Sequence, residues 1–128
     1  MTWTAVTDRR LLVVEDDYFW ANELEKALQE AGATVLGPVA TVEGAMALLR
    51  TEPRPDAAML DIGLRGVRAF EVADWLIGHR VPFLIVTGYE AGALPARFAA
   101  VPQIEKPASI AAVLAALDAL LPARGAGV

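Results

Sequence analysis

Cysteine is absent from this 128-residue chain, and histidine occurs once. Without thiols there is neither a disulfide framework nor a thiolate metal site, a composition compatible with the cytoplasm. Basic residues are the minority, 11 Lys and Arg against 16 Asp and Glu, for a net charge of −5. Non-specific affinity for duplex DNA comes from a basic face that neutralises phosphates, so direct DNA binding is not expected. Long apolar runs are lacking too. Although 55% of the residues are hydrophobic, no uninterrupted stretch approaches the ~18 residues that cross a bilayer, so no membrane association is expected. The opening residues, MTWTAVTDRR, lead straight into LLVVEDD without a signal peptide's apolar stretch and small-residue cleavage site. The expectation is one soluble, cytoplasmic domain, large enough to bury about two thirds of its unfolded surface without staples.

What is present is a set of short apolar runs, each finishing in a reactive residue: LLVVEDD at 11–17, AAMLDIG at 57–63, FLIVTG at 83–88 and, later, IEKP at 104–107. Runs of this kind read as strands buried on both faces, with the polar residue at the carboxyl end. Between them lie helical patterns, the signature of alternating α/β folding. Strands are expected at about 10–15, 34–37, 57–60, 83–86 and 102–105. Gly37-Pro38 closes the second of them. Helices are expected over about 18–31, with Leu24, Ala27, Leu28 and Ala31 facing the sheet, over 42–51, capped by Thr41, and over 68–78, with Phe70, Ala73, Leu76 and Ile77 buried. A final helix over about 109–121 starts at Ser109, and Gly92 and Pro95 make the one before it short or irregular. Residues 1–9 read as a lead, 10–121 as the domain and 122–128 as a disordered tail.

Right-handed crossovers narrow the topology of five β-α units to a doubly wound parallel sheet of order 2-1-3-4-5. That order makes strands one and three neighbours and gathers Glu15, Asp16, Asp61, Thr87 and Lys106 at one edge, where open α/β sheets bind ligands. Three converging carboxylates repel one another unless a cation neutralises them, and hard oxygen ligands with open positions suit Mg²⁺. The Gly63 carbonyl is a plausible further ligand. With Lys106 as positive charge and Thr87 as hydroxyl donor, Asp61 is placed to attack phosphorus and form an acyl phosphate.

This set resembles the response-regulator receiver domains of two-component signalling, over nearly the whole chain. LDIGLRG, RVPFLIVTGYE and VPQIEKP, together with GPVATVEGAMALL, are similar more narrowly to single-domain receivers carrying a PFxFATGY-type motif. The resemblance implies a flavodoxin-like (βα)5 fold, Glu15 and Asp16 as the acidic pair, Asp61 as phosphoacceptor, Thr87 as switch hydroxyl and Lys106 as phosphate-facing lysine before Pro107. It further implies a sensor histidine kinase as phosphodonor, of the HWE or a related class, and autodephosphorylation by a metal-assisted water. Output would pass by protein contacts, with the fourth helix, fifth strand and last helix as the partner face of a monomer or weak dimer.

Several positions depart from the family pattern. Gln103 stands where many receivers carry an aromatic switch residue, which leaves Tyr89 of the TGY as the candidate readout. Val86 replaces the usual Ala before the threonine, and Gly63 offers no side chain toward the phosphoryl group. The leading expectation is a stand-alone phosphoacceptor, not an enzyme on external substrates, that relays a signal or drains phosphate as a sink. The alternative is a docking module that works without phosphorylation. A small-metabolite phosphatase would need a second acid two positions after the nucleophile, and that position is Gly63. His79, Trp20 and Trp75 read as a helix-end residue and packing residues.

Overall fold

A computed structural model describes residues 3–88 and 94–122. Five parallel strands form one sheet: β1 (Arg10–Val14), β2 (Thr34–Val39), β3 (Ala57–Asp61), β6 (Phe83–Thr87) and β7 (Gln103–Glu105), in the order β2-β1-β3-β6-β7. Counted along the sheet this is the expected 2-1-3-4-5 order. β3 and β6 are buried at every position, and so are the last four residues of β1. Central strands of a doubly covered sheet have no solvent face, which is why their sequences do not alternate.

Two hydrophobic clusters sandwich the sheet. One packs Leu12, Leu60 and Ile85 against α2 (Val42–Thr51) and α3 (Phe70–Gly78); the other packs Val13, Met59 and Leu84 against α1 (Tyr18–Glu30) and α4 (Ile110–Ala119). The helix starts follow local chemistry. Asp17, Thr41 and Ser109 each accept a hydrogen bond from the backbone N–H three residues on, at 3.1, 3.0 and 3.0 Å. Such caps are each worth about 1 kcal/mol.

Four local features differ from the sequence reading. β2 does not stop at Gly37-Pro38 but runs to Val39, and Val39 O accepts the Glu15 N–H at 2.9 Å. Proline is tolerated because β2 is an edge strand. Gly37 has φ +91, and a Cβ there would meet Val39 N at 2.8 Å and Val13 O at 2.9 Å, so the position requires glycine. The loop containing Gly63 and Gly66 is a hairpin, β4 (Gly63–Leu64) and β5 (Val67–Arg68), and α3 begins only after it. On α3 the buried residues are Val72, Ala73 and Leu76, while Ile77 is 43% exposed, because its position rotates it off that face. In the segment before β7, Pro95 leads into a single turn of 3₁₀ helix, Ala96–Phe98, while Gly92 lies outside the described residues. Residues of the N-terminal lead pack into the domain: Ala5 and Val6 are buried, and the Val6 N–H donates to Asp118 Oδ1 at 3.1 Å.

Candidate functional site

The carboxyl ends of β1, β3, β6 and β7 share one edge, and each delivers a polar residue there. Glu15 and Asp16 follow β1, Asp61 closes β3, Thr87 closes β6 and Lys106 follows β7. Register holds them level: Asp61 pairs with Val86, and Thr87 O accepts the Lys106 N–H at 2.7 Å. Carboxylate oxygens of Glu15, Asp16 and Asp61 lie within 4.8 Å of one another, with Glu15 and Asp61 buried.

One cation of the chain itself enters this cluster. Lys106 Nζ donates to Asp61 Oδ2 at 2.7 Å and to Glu15 Oε2 at 3.2 Å, and lies 3.1 Å from Glu15 Oε1. Burial alone would lower the lysine's pKa, but its bond to Asp61 and the two carboxylate charges outweigh that and raise it. In Glu15 burial acts in the other direction. Burial, reinforced by Asp61, pushes its carboxyl up to about 8 despite the Asp17 N–H and Lys106. Asp16 is only part-buried; the resulting upward push is overcome by the Arg65 N–H, by Glu15 and by Lys106, so its pKa falls below the usual range.

Two buried side-chain oxygens remain without a hydrogen bond among the described residues: Glu15 Oε1, which has only its ion-pair contact with Lys106, and the Thr87 hydroxyl, which is 1% exposed. Leaving a buried hydroxyl unpaired costs about 1–3 kcal/mol, so a partner at the site would be stabilising. An oxygen-rich cluster with an unbonded carboxylate oxygen fits a hard divalent cation, and the orphaned Thr87 hydroxyl fits an incoming anion. Gly63 sits two residues beyond Asp61, and its N–H donates to Asp61 Oδ1 at 2.9 Å.

Some supporting groups carried no signal as motifs. Asp17 caps α1 and also gives its N–H to Glu15 Oε2 at 2.9 Å. The cap was readable from an acid just before a helix; the second bond, being backbone, was not. Arg65 gives its N–H to Asp16 Oδ2 at 2.8 Å. Trp20 donates its indole N–H to Ala108 O at 3.1 Å, tying α1 to the loop after Pro107. With Asp17, Gly88 and Lys106 it lines a cavity of about 440 Å³ beside the acids. Gln103 is exposed on the edge strand opposite Ile85, and Tyr89 lies outside the described residues. His79 closes α3, its ring stacked on Trp75 at 3.6 Å and its Nδ1 2.9 Å from Trp75 O, away from the acids.

No profile of a known protein family matches the chain. Similar proteins are nonetheless found. The chain is 36% identical to SdrG of Sphingomonas melonis Fr1, covering 89% of this chain and 98% of that one with a TM-score of 0.70. The BeF3-activated conformation of SdrG, from Pseudomonas melonis Fr1, aligns with the same TM-score, 0.70, at 37% identity over 88% of this chain and 96% of that one. A response regulator receiver protein of Sinorhizobium medicae WSM419 shares the fold, with a TM-score of 0.72 at 21% identity over 88% and 94% of the two chains. The transcriptional regulatory protein PrrA of Mycobacterium tuberculosis is 35% identical over 135 residues, which cover 95% of this chain and 54% of PrrA. The chain thus spans about half the length of the curated relatives it matches.

Proposed function

Because the chain belongs to the response-regulator receiver family of two-component signalling, we propose that it accepts a phosphoryl group from a sensor histidine kinase onto Asp61 in a Mg²⁺-dependent reaction. The observation that carries this is the cluster of three carboxylates with Lys106 already 2.7 Å from Asp61 and the Thr87 hydroxyl buried without a partner. A carboxylate oxygen of Asp61 attacks phosphorus as the bond to the kinase imidazole breaks, giving an acyl phosphate and a free histidine. Lys106 turns its ammonium to the phosphoryl oxygens. Thr87 donates its hydroxyl to one of them, satisfying a group that the resting protein leaves unpaired. Glu15, Asp16, Asp61 and the Gly63 carbonyl would hold Mg²⁺, which supplies neutralisation of the charge on the transferring group.

The output we propose is intermolecular. Helix α4 and strand β7, with the segment before β7, form the face for a downstream protein, and a chain acting alone could equally serve as a phosphate sink. Tyr89 and Gln103 remain the candidate readout positions. The test is uptake of phosphate from a histidine kinase or from acetyl phosphate with Mg²⁺, followed by intact mass. A gain of about 80 Da supports the reading; an unchanged mass from both donors sinks it.

Two outcomes follow from the geometry. Since Trp20 shares a cavity with Lys106 and caps the site through Ala108, Mg²⁺ is expected to change its fluorescence. A Trp20→Phe variant identifies the signal, and unchanged wild-type emission at saturating metal contradicts the site. Gly63 presents no side chain beside Asp61, and one placed there would restrict the approach of water, so Gly63→Asn is expected to lengthen the phosphorylated lifetime severalfold. A dephosphorylation time course no slower than wild type would refute that.

A further inference from the structure

The β4–β5 hairpin hangs from the carboxylates that the chemistry uses. Asp61 Oδ1 holds the Gly63 N–H at 2.9 Å at the base of β4, and Asp16 Oδ2 holds the Arg65 N–H at 2.8 Å in the turn. The turn residues, Arg65 and Gly66, have φ +50 and +80, the two positive values that a tight two-residue hairpin turn requires and that Asn-Gly usually provides. Arginine is strained there. Its guanidinium makes no hydrogen bond or ion pair among the described residues, so beside the backbone pairing of β4 with β5 the Asp16 bond is the side-chain contact that holds the turn.

The outer side of the hairpin is a surface. Val67 is 57% exposed between two exposed arginines, Arg65 and Arg68. Arg68 lies 5.8 Å from the Phe70 ring, and that ring packs 5.6 Å from buried Phe98 of the 3₁₀ turn, over which Arg97 sits at 4.5 Å. A displaced hairpin would therefore alter an apolar and basic patch continuous with the start of α3.

We infer that the hairpin is a latch released by the ligands of the site, a second readout arm beside the β7 face. The inference rests on the phosphoacceptor reading above. In the resting protein Asp16 and Asp61 each commit an oxygen to a hairpin N–H; a divalent cation and a phosphoryl group compete for those oxygens, while the Gly63 carbonyl stays with the cation as the pivot about which the rest of the hairpin moves. Latching and ligation are then reciprocal, so whatever stabilises the turn weakens ligand binding by the same factor.

Two substitutions in the turn push in opposite directions. Arg65→Asn keeps the N–H and places in the turn a residue that accepts positive φ, which strengthens the latch. Gly66→Ala puts a Cβ where nothing lies within 4 Å, so its cost is that of the φ alone, which loosens the turn. Mg²⁺ titrated alone, read by Trp20 fluorescence, is expected to bind about fivefold more weakly to Arg65→Asn and about fivefold more tightly to Gly66→Ala. Loss of the arginine charge by itself would tighten cation binding, so weakening in Arg65→Asn is diagnostic. In the wild type, Mg²⁺ with beryllofluoride is expected to speed amide hydrogen exchange over residues 63–68. Affinities that move together or not at all overturn the latch, as does unchanged exchange at 63–68 while Trp20 reports binding. A wild type that binds neither probe removes the phosphoacceptor reading and the latch with it.

Discussion

Asp61→Ala is expected to gain no phosphoryl group under conditions in which the wild type gains about 80 Da. Asp61 is the only carboxylate of the cluster that is at once buried, the last residue of a central strand and bonded to Lys106 at 2.7 Å. Glu15 shares the lysine but points its Oε2 at the Asp17 N–H, and Asp16 is held toward the hairpin. Asp16 makes no hydrogen bond to the lysine, and Glu15, although its Oε1 lies 3.1 Å from Nζ, is the poorer nucleophile because burial holds its carboxyl toward the protonated form. The variant should fold, since Lys106 keeps Glu15 Oε1 at 3.1 Å and the loss of Asp61 removes a neighbour that raises the Glu15 carboxyl, which lets that carboxyl ionise beside the lysine. Intact mass after incubation with Mg²⁺ and acetyl phosphate reads the result, with circular dichroism verifying the fold. An equal mass gain in the variant would move the acceptor elsewhere and end the assignment.

The second large effect concerns pH. With its carboxyl near 8 by burial and the nearby Asp61, Glu15 carries a proton in the resting protein at neutral pH. Metal binding must expel that proton. Mg²⁺ affinity is therefore expected to rise on the order of tenfold per pH unit below about 8 and to level off above it. Calorimetry at pH 6.5 in buffers of different ionisation enthalpy should show about one proton released per cation. Glu15→Gln should flatten the profile, and equal wild-type affinities at pH 6 and 8 would contradict the assignment. Folding carries the opposite sign. The folded state holds this proton more tightly than the unfolded chain, whose glutamate has the ordinary value of 4.5. The stabilisation is complete below about 4.5 and is lost as pH rises through about 8, unless Mg²⁺ is present.

Much of this architecture was legible in the sequence because central parallel strands are apolar without alternation. LLVV, AAML and FLIV could hardly be anything else, and the polar residues ending them had to meet once the crossovers were right-handed. The illegible parts have distinct causes. The hairpin has limbs of two residues, too short for any periodicity, and its turn is Arg-Gly where the usual signal is Asn-Gly or Asp-Gly. The Arg65 and Asp17 contributions are backbone N–H groups, which no side-chain motif announces. Val72 takes the buried position on α3 and Ile77 does not, because residues 72, 73 and 76 share the face toward the sheet. Ala5 and Val6 pack into the core cluster with Leu117 and Leu121, and the Val6 N–H bonds Asp118, at the far end of the chain, a pairing that local pattern does not encode.

Lys106 has a consequence for how the protein is made. A pocket of three acids would ordinarily hinder folding wherever divalent metal is scarce, since the chain would have to close around uncompensated negative charge. Here the lysine amine, 2.7 Å from Asp61 and 3.1 Å from Glu15, serves as a resident counter-ion supplied by the polypeptide itself. With that charge in place, the domain is expected to reach its final form without magnesium. Assembly would thereby be encoded in the chain itself, separate from the metal dependence proposed for the reaction.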